Sequence, residues 1–392
     1  MLEGFILKNN GLISILHVIL LCITFIGIKN HVSILPAILN AVGRDGWISV
    51  LLAGLFTFPW FFLLVYIHRK TNQEPIKDWL KKKIGKVGSA IVLFIIAIYL
   101  LVLAGFSMRE TLLWVSTTFL TETPIIIPLI IYIILCITLM ATNIQTIVMV
   151  NVMVLLVSVI LGFFISFVNI QVKDYELLQP FLEHGFQPVL YGMIFPASGF
   201  VELLLLLFLQ HKFKDRINWK HYSILLFIFI GLTIGPLIGA IVEFGPEEAA
   251  KQRYPAYEEW GLATIGSFVE NISFFSVYQW LTGTFIRVVV ILYIVADILN
   301  IAENKKKIWT MLAPPFFFIT LSLFLIKDKV FLEINEKGFL KITFVFFIII
   351  SFFLAIVAIM KGKKTIDQNL IEQNLQKGDE RGEDQWNPRT KQ

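Results

Sequence analysis

The feature that most constrains this chain is the length of its charge-free apolar runs. Residues 91–104 carry no charged side chain, and neither do residues 124–141. Runs of about 18 or more such residues read as membrane-spanning helices. Strands of an outer-membrane barrel would alternate polar and apolar residues instead, and these runs do not. Composition agrees. Of the residues, 57% are hydrophobic and 16% charged, against about a quarter charged in soluble domains. The chain has too few charges to cover a water-facing surface, so it reads as an all-α polytopic membrane protein.

The runs divide into about ten spans, placed at 11–42, 46–66, 87–119, 124–141 and 144–168, then at 187–210, 222–244, 274–299, 308–326 and 342–360. Clusters of Pro, Gly and charge mark loops such as 71–75 and 244–260. Residues 1–364 are expected to form one permease-like membrane domain of two five-span repeats, 1–169 and 186–364. The polar tail 365–392 is expected to be disordered. The opening MLEGFILKNN lacks the basic region and small-residue cleavage site of a signal peptide, so the first run is expected to be a retained span.

Lys and Arg concentrate in alternate loops. Arg69, Lys70, Lys77, Lys81, Lys82, Lys83 and Lys86 fall in the second, Lys212, Lys214, Arg216 and Lys220 in the sixth, and Lys305, Lys306 and Lys307 in the eighth. Positive charge marks the cytoplasmic side, and an even span count then places both termini there. The basic second loop also suits anionic lipid, although topology signalling explains it as well.

Enzyme and nucleic-acid signatures are absent. There is no HExxH, GxxxxGK[ST] or GxSxG, and no basic-aromatic patch. His211 and His221 read as solvated loop residues. Cys22 and Cys136 lie inside apolar runs and read as small buried hydrophobes, with neither a disulfide framework nor a metal motif. No cofactor and no metal are expected.

Two spans carry polar interruptions at corresponding positions of the halves. Gly27-Ile-Lys-Asn-His31 interrupts the first span, and Phe195-Pro-Ala-Ser-Gly199 the sixth. Such a pair points to an inverted-repeat transporter fold with its site near mid-membrane. Breaking a helix in hydrocarbon frees backbone groups at a cost of several kcal/mol each. Half-helix N-termini then suit a carboxylate and freed carbonyls an ammonium, a combination that fits an amino acid. The bland alternative is a pair of kinks satisfied by neighbouring helices.

Charged residues inside the spans are the second clue, each costing on the order of 3 kcal/mol at mid-bilayer. They are Lys29, Arg109, Glu110, Glu202, Arg287 and Asp297, with His17 and His31 switchable. Tyr99, Leu103, Phe106 and Glu110 share one helical face, as do Trp280, Thr284 and Arg287. Lys29, Glu202 and Arg287 are able to meet in one cavity if spans one, three, six and eight surround it. Charge pairs locking helices together remain the structural alternative. Lys29 stands either in the place of a sodium ion, as a partner for Glu202, or as a proton carrier.

The runs IGIKNHVSILPAILNAVGRDGWIS (26–49), FGPEEAAKQRYPAYEEW (244–260) and FFSVYQWLTGTFIR (274–287) resemble the endospore germination permeases. These are the B subunits of spore nutrient-germinant receptors, and the resemblance covers roughly residues 10–362. It implies the LeuT-like fold of the amino acid–polyamine–organocation superfamily, broken in helices one and six. It implies residence in the spore inner membrane, assembly with an A subunit and a lipoprotein C subunit, and recognition of a small amino-acid-like germinant. The implied pocket comprises Gly27, Ile28, Lys29, Asn30 and His31, then Tyr99, Leu103 and Phe106, then Ser198, Gly199 and Glu202, then Thr284, Arg287 and Ile291. Many relatives are Gly-rich and uncharged at the first break, so Lys29-Asn30-His31 is a departure, as is Arg287. The leading expectation is a germinant-receptor subunit. A proton-coupled amino acid permease is the alternative, and a water or ion channel ranks below both.

Overall fold

The computed structural model describes residues 12–263 and 272–360. The tail 365–392 and the first eleven residues, on which expectations were placed above, lie outside the described residues. Among the described residues every regular element is a helix, and the one extended pairing is an isolated bridge between Ile13 and Phe213. Hydrocarbon offers no partner for a free N–H or C=O, so a helix, which satisfies its own backbone, is the available solution.

Among the described residues, eight helical stretches are long and apolar enough to cross a bilayer. The first, Ile15–Thr71, has 57 residues, about 85 Å if straight at 1.5 Å per residue, nearly three times the hydrocarbon thickness. It therefore doubles back, and hydrogen bonds locate its ends. Ile13 N donates to Lys212 O and Lys214 N donates to Ile13 O, both at 2.9 Å. At the far end of the stretch, His68 Nδ1 and Thr71 Oγ1 meet the side chain of Gln210 at 2.7 and 2.9 Å. Both ends thus sit beside residues 210–214. The reversal falls at Gly43, whose φ of 65° suits a residue without Cβ.

The remaining passes alternate in direction in the same way. α1 (Ile15–Phe25) and α2 (Leu35–Val42) run outward from this basic end; α3 (Gly46–Thr57) and α4 (Trp60–Thr71) return. α5 (Ile76–Thr118) bends at Gly85 and then crosses. Near its start Lys77 pairs with Asp297, while Arg109, towards its end, reaches Asp328. α6 (Ile126–Met140) and α7 (Ile144–Val168) form an antiparallel pair, and Asn169 after α7 bonds Glu243 and the Glu259 carbonyl at the far end. The sixth pass is assembled from α8 (Phe186–Gly192), α9 (Ile194–Phe200) and α10 (Leu205–Leu209). α11 (Trp219–Phe244) leads to two short helices, α12 (Pro246–Lys251) and α13 (Pro255–Gly261). α14 (Phe274–Ile298), α15 (Lys305–Lys307) with α16 (Ala313–Phe324), and α17 (Asp328–Ile334) with α18 (Leu340–Ile359) complete the set. Traced this way, the described residues make ten passes, and both described chain ends lie at the basic end.

Three local expectations change. The first interruption is not an unwound segment. Lys29–Ser33 is a π turn, in which Ile34 N still donates to Lys29 O at 3.2 Å; widening a helix by one residue keeps most backbone groups paired. Phe195–Gly199 lies inside α9 and is helical. Pro196 falls in the first turn of α9, where a missing N–H costs little, and the irregularity follows instead as a 3₁₀ turn at Val201–Leu204. The last span begins at Asp328, not near Ile342, because the lysine-rich run before it stays helical through a π turn at Asn335–Phe339.

The sixth pass is the most enclosed, with 89% of its apolar window buried, and α14 follows at 78%. α7 and α15–α16 are the least enclosed, at 28% and 22%. The molecule is therefore organised around span six and α14, with the first span beside them.

Candidate functional site

Three charged side chains meet at the centre. Lys29 Nζ lies 2.9 Å from Glu202 Oε1. Arg287 grips the same carboxylate through Nη1 to Oε2 at 2.7 Å and Nη2 to Oε1 at 3.0 Å. All three are buried. One carboxylate between two cations leaves a surplus positive charge, and backbone dipoles compensate it. Arg287 Nη1 also donates to the carbonyl of Phe25, the last residue of α1, at 2.6 Å, and Lys29 Nζ to that of Ser198 in the last turn of α9, at 3.0 Å. Helix C-termini carry partial negative charge, so each cation is held by the shared carboxylate and by one helix end.

The π turn is braced from its other side. Ser33 Oγ donates to Glu110 Oε2 at 2.7 Å. Beyond it, Val32 packs with Trp114, Tyr254 and Trp280. Trp114 stacks on Trp280 at 4.4 Å, and Tyr257 and Tyr254 meet these rings edge-on. The space between spans one, three and eight is therefore filled by charges below and aromatic rings above. Asn30 is fully buried, with neither amide atom hydrogen-bonded among the described residues. It lies so close to Gly199 that a Cβ there would sit 1.7 Å from Asn30 Oδ1.

The open volume lies on the opposite face of the first span. A cavity of about 430 Å³ runs between α1, α7, α11 and α14. Thr24, Gly27, Ile28 and His31 form one wall, Ser158, Gly162 and Ser166 another, and Gly231, Gly235 and Gly239 a third. Gln279 and Gly283 contribute from α14, and Lys173, Glu259 and Trp260 close the end away from the basic loops. Small residues on three walls keep the helices' backbones near the space while leaving it unfilled. His31 Nδ1 lies 3.1 Å from the carbonyl of Leu232. A carbonyl only accepts, so the proton sits on Nδ1 and the other ring nitrogen of a neutral His31 is an acceptor. Among the described residues no group of three His, Cys, Asp or Glu could hold a metal ion.

With the cavity and the charged centre placed, sequence comparison supplies the family. A family model described as spore germination protein matches residues 11–331. The chain belongs to the spore germination protein family. Three relatives agree with the match. Spore germination protein XB of Bacillus anthracis is 38% identical over 296 residues, covering 76% of this chain and 83% of that one. Spore germination protein A2 of Bacillus subtilis (strain 168) is 24% identical, covering 64% and 70%. Spore germination protein KB of the same organism is 23% identical, covering 83% and 89%. This spore germination family member thus has a role in germination and is a multi-pass membrane protein.

Within this germination protein the structure distributes the expected site residues over several places. Gly27, Ile28 and His31 line the cavity. Lys29, Ser198, Glu202 and Arg287 form the charged centre, and Asn30 and Gly199 lock against each other beside it. Thr284 is hydrogen-bonded to Thr111 at 2.8 Å, and Ile291 is fully buried core. Tyr99 and Phe106 face the final span. Tyr99 stacks on Phe346 and bonds Thr343, Phe106 stacks on Phe339, and Leu103 lies buried between them in sequence. The expected hollow between spans one, three, six and eight is thus occupied by the chain's own side chains, and the available space is on the α7–α11 side.

The other intramembrane charges are structural clamps. Arg109 donates to the carbonyls of Leu323 and Ile326 at the end of α16, pairs with Asp328, and lies 3.7 Å over the Phe331 ring. Asp297 joins Lys77 and His211. Sequence reasoning missed Glu259 and Asn151. Glu259 sits in a short loop helix without apolar periodicity, and the only signal was a carboxylate pair beside Trp260. Asn151, fully buried in α7 with no amide partner among the described residues, was one of a few polar residues in a long apolar run.

Proposed function

We propose that this protein is the germinant-binding subunit of a spore nutrient receptor, holding a small amino-acid-like molecule in the cavity beside the first-span π turn. The observation that carries this reading is the cavity itself. It falls within the 300–1,000 Å³ of ordinary ligand sites, has few polar groups set among apolar walls, and touches the irregular segment of the first span. Binding there acts on Lys29–Ser33, which is tied to spans six and eight through Glu202 and Arg287. The change passes to partner subunits, an A subunit in the membrane and a lipoprotein C subunit, without obligatory net transport and without catalysis. Both termini are read as cytoplasmic, which the positive charge of the basic loops supports, and the membrane is the inner membrane of the spore.

The experiment replaces Gly235, which has open space around its Cα, with Leu to fill the cavity. Spores carrying Gly235→Leu are expected to lose the response to amino acids that trigger the unmodified strain, with the protein present at normal abundance. An unchanged response from spores with a filled cavity overturns the assignment. A proton-coupled amino acid permease is the second reading, favoured by the unpaired Glu259 carboxyl lining the cavity. Glu202 is ill suited to carry the proton, because neutralising it would leave two buried cations without their shared counter-charge. Reconstituted vesicles that accumulate amino acids under a pH gradient would support the permease.

A further inference from the structure

The loop run 244–260 has no part in the charged centre, yet it delivers a carboxylate to the cavity. Glu259, on α13, is 8% exposed, and its side chain makes no hydrogen bond or ion pair among the described residues. Its Oε1 is wholly buried and unpartnered. The nearby cation is already committed, since Lys173 Nζ lies 3.6 Å from Glu243 Oε1 and donates to the Ser166 carbonyl at 3.1 Å. Asn169 holds the other Glu243 oxygen at 2.8 Å and takes only the backbone carbonyl of Glu259. When both carboxylates are ionised, one lysine leaves a single positive charge wanting, and Glu259 is among the residues that line the cavity.

We propose that Glu259 is the acceptor for the ammonium group of the ligand. The assignment rests on the germinant-binding reading above and names the chemistry at one end of that cavity. Three features support an organic ammonium there. The indole of Trp260 also lines the space, and an aromatic face beside a carboxylate suits a cation of low charge density. A metal ion would want several oxygen ligands, where this corner offers one free carboxylate. Gly239 makes room for the carboxylate, since a Cβ there would lie 2.8 Å from Glu259 Oε1. An amino acid bound this way puts its ammonium at Glu259 and the rest of the molecule along the cavity towards Gly27 and His31.

The test uses the full-length protein in lipid nanodiscs, with ligand-induced shifts in thermal unfolding as the readout. The probes are ethylammonium chloride, potassium chloride at equal ionic strength, and the twenty L-amino acids, each compared with its analogue lacking the amino group. Ethylammonium is expected to stabilise the unmodified protein more than potassium does. Glu259→Gln is expected to weaken apparent affinity at least tenfold, and Glu259→Asp less. Gly239→Ala, which keeps the charge but displaces it, is expected to fall between them. If an amino acid binds and Glu259→Gln binds it equally well, the ammonium assignment is overturned while the germinant cavity stands. If ethylammonium binding depends on Glu259 and no amino acid binds, the assignment stands and the germinant reading falls. Equal stabilisation by potassium, or no binding of any probe, overturns the ammonium site.

Discussion

Glu202 and Glu259 are both buried carboxylates, and their surroundings are opposites. Glu202 makes three hydrogen bonds to two cations that are themselves anchored to helix ends. Glu259 makes none. A carboxylate whose lone pairs are filled by its own chain has been built into the architecture, because removing it strands two buried cations. One with empty lone pairs beside a cavity is costly to keep, and it becomes favourable only when something arrives to pair with it. Two acids of one type thus divide into a structural element and a ligand-facing one by their partners alone.

The largest expected effect separates them directly. Glu202→Gln should cost about 3–5 kcal/mol, the usual loss on breaking a buried ion pair, whereas Glu259→Gln should be neutral or stabilising without ligand. Thermal unfolding of both variants in the same lipid decides it, and equal losses would erase the contrast. Gly199→Ala comes next. Its Cβ would collide with Asn30 Oδ1, and overpacking a buried contact costs about 1–3 kcal/mol, read as a lowered Tm and a blunted germination response.

A pH series sharpens the other side of the comparison. Burial, and then the neighbouring Glu243, push the Glu259 carboxyl well above the usual range, while Lys173 opposes them. His31 is the remaining titratable group on the cavity wall. A group whose pKa is raised on folding stabilises the fold fully below its unfolded value. That contribution is lost as pH rises through the folded value, at no more than about 1.4 kcal/mol per unit. Ligand-free protein should therefore lose Tm as pH climbs through that window, and Glu259→Gln should flatten this part of the profile. An ammonium ligand should reverse the trend by favouring the ionised acid. The smallest effect is expected from Ser33→Ala, about 1 kcal/mol for one hydrogen bond, seen as a modest Tm drop in the unliganded protein.

Much of the architecture is legible in the sequence because a bilayer punishes exceptions. Uncharged runs can only be passes, and the ten-pass trace follows them. The same penalty made Lys29, Glu202 and Arg287 stand out, and they do meet. What the pattern could not show is which side of the first span stays open. That depends on side-chain volumes brought together from distant passes, such as Trp114 with Trp280, and hydropathy does not register them. Phe195–Gly199 misled because Pro and Gly read as breakers wherever they occur, yet Pro196 sits in a first turn and Gly199 serves close packing against Asn30. The onset of the last span at Asp328 was hidden by lysines that a helix end carries without unwinding.

The doubly anchored cations have a mechanical corollary. Lys29 ties the first span to the sixth, and Arg287 ties the eighth to both. The three are lashed into a tripod whose legs cannot be displaced singly without tearing a charge from its seat. A displacement of the π turn therefore loads the other two legs, while α7 and α11, across the hollow, share none of these three charges.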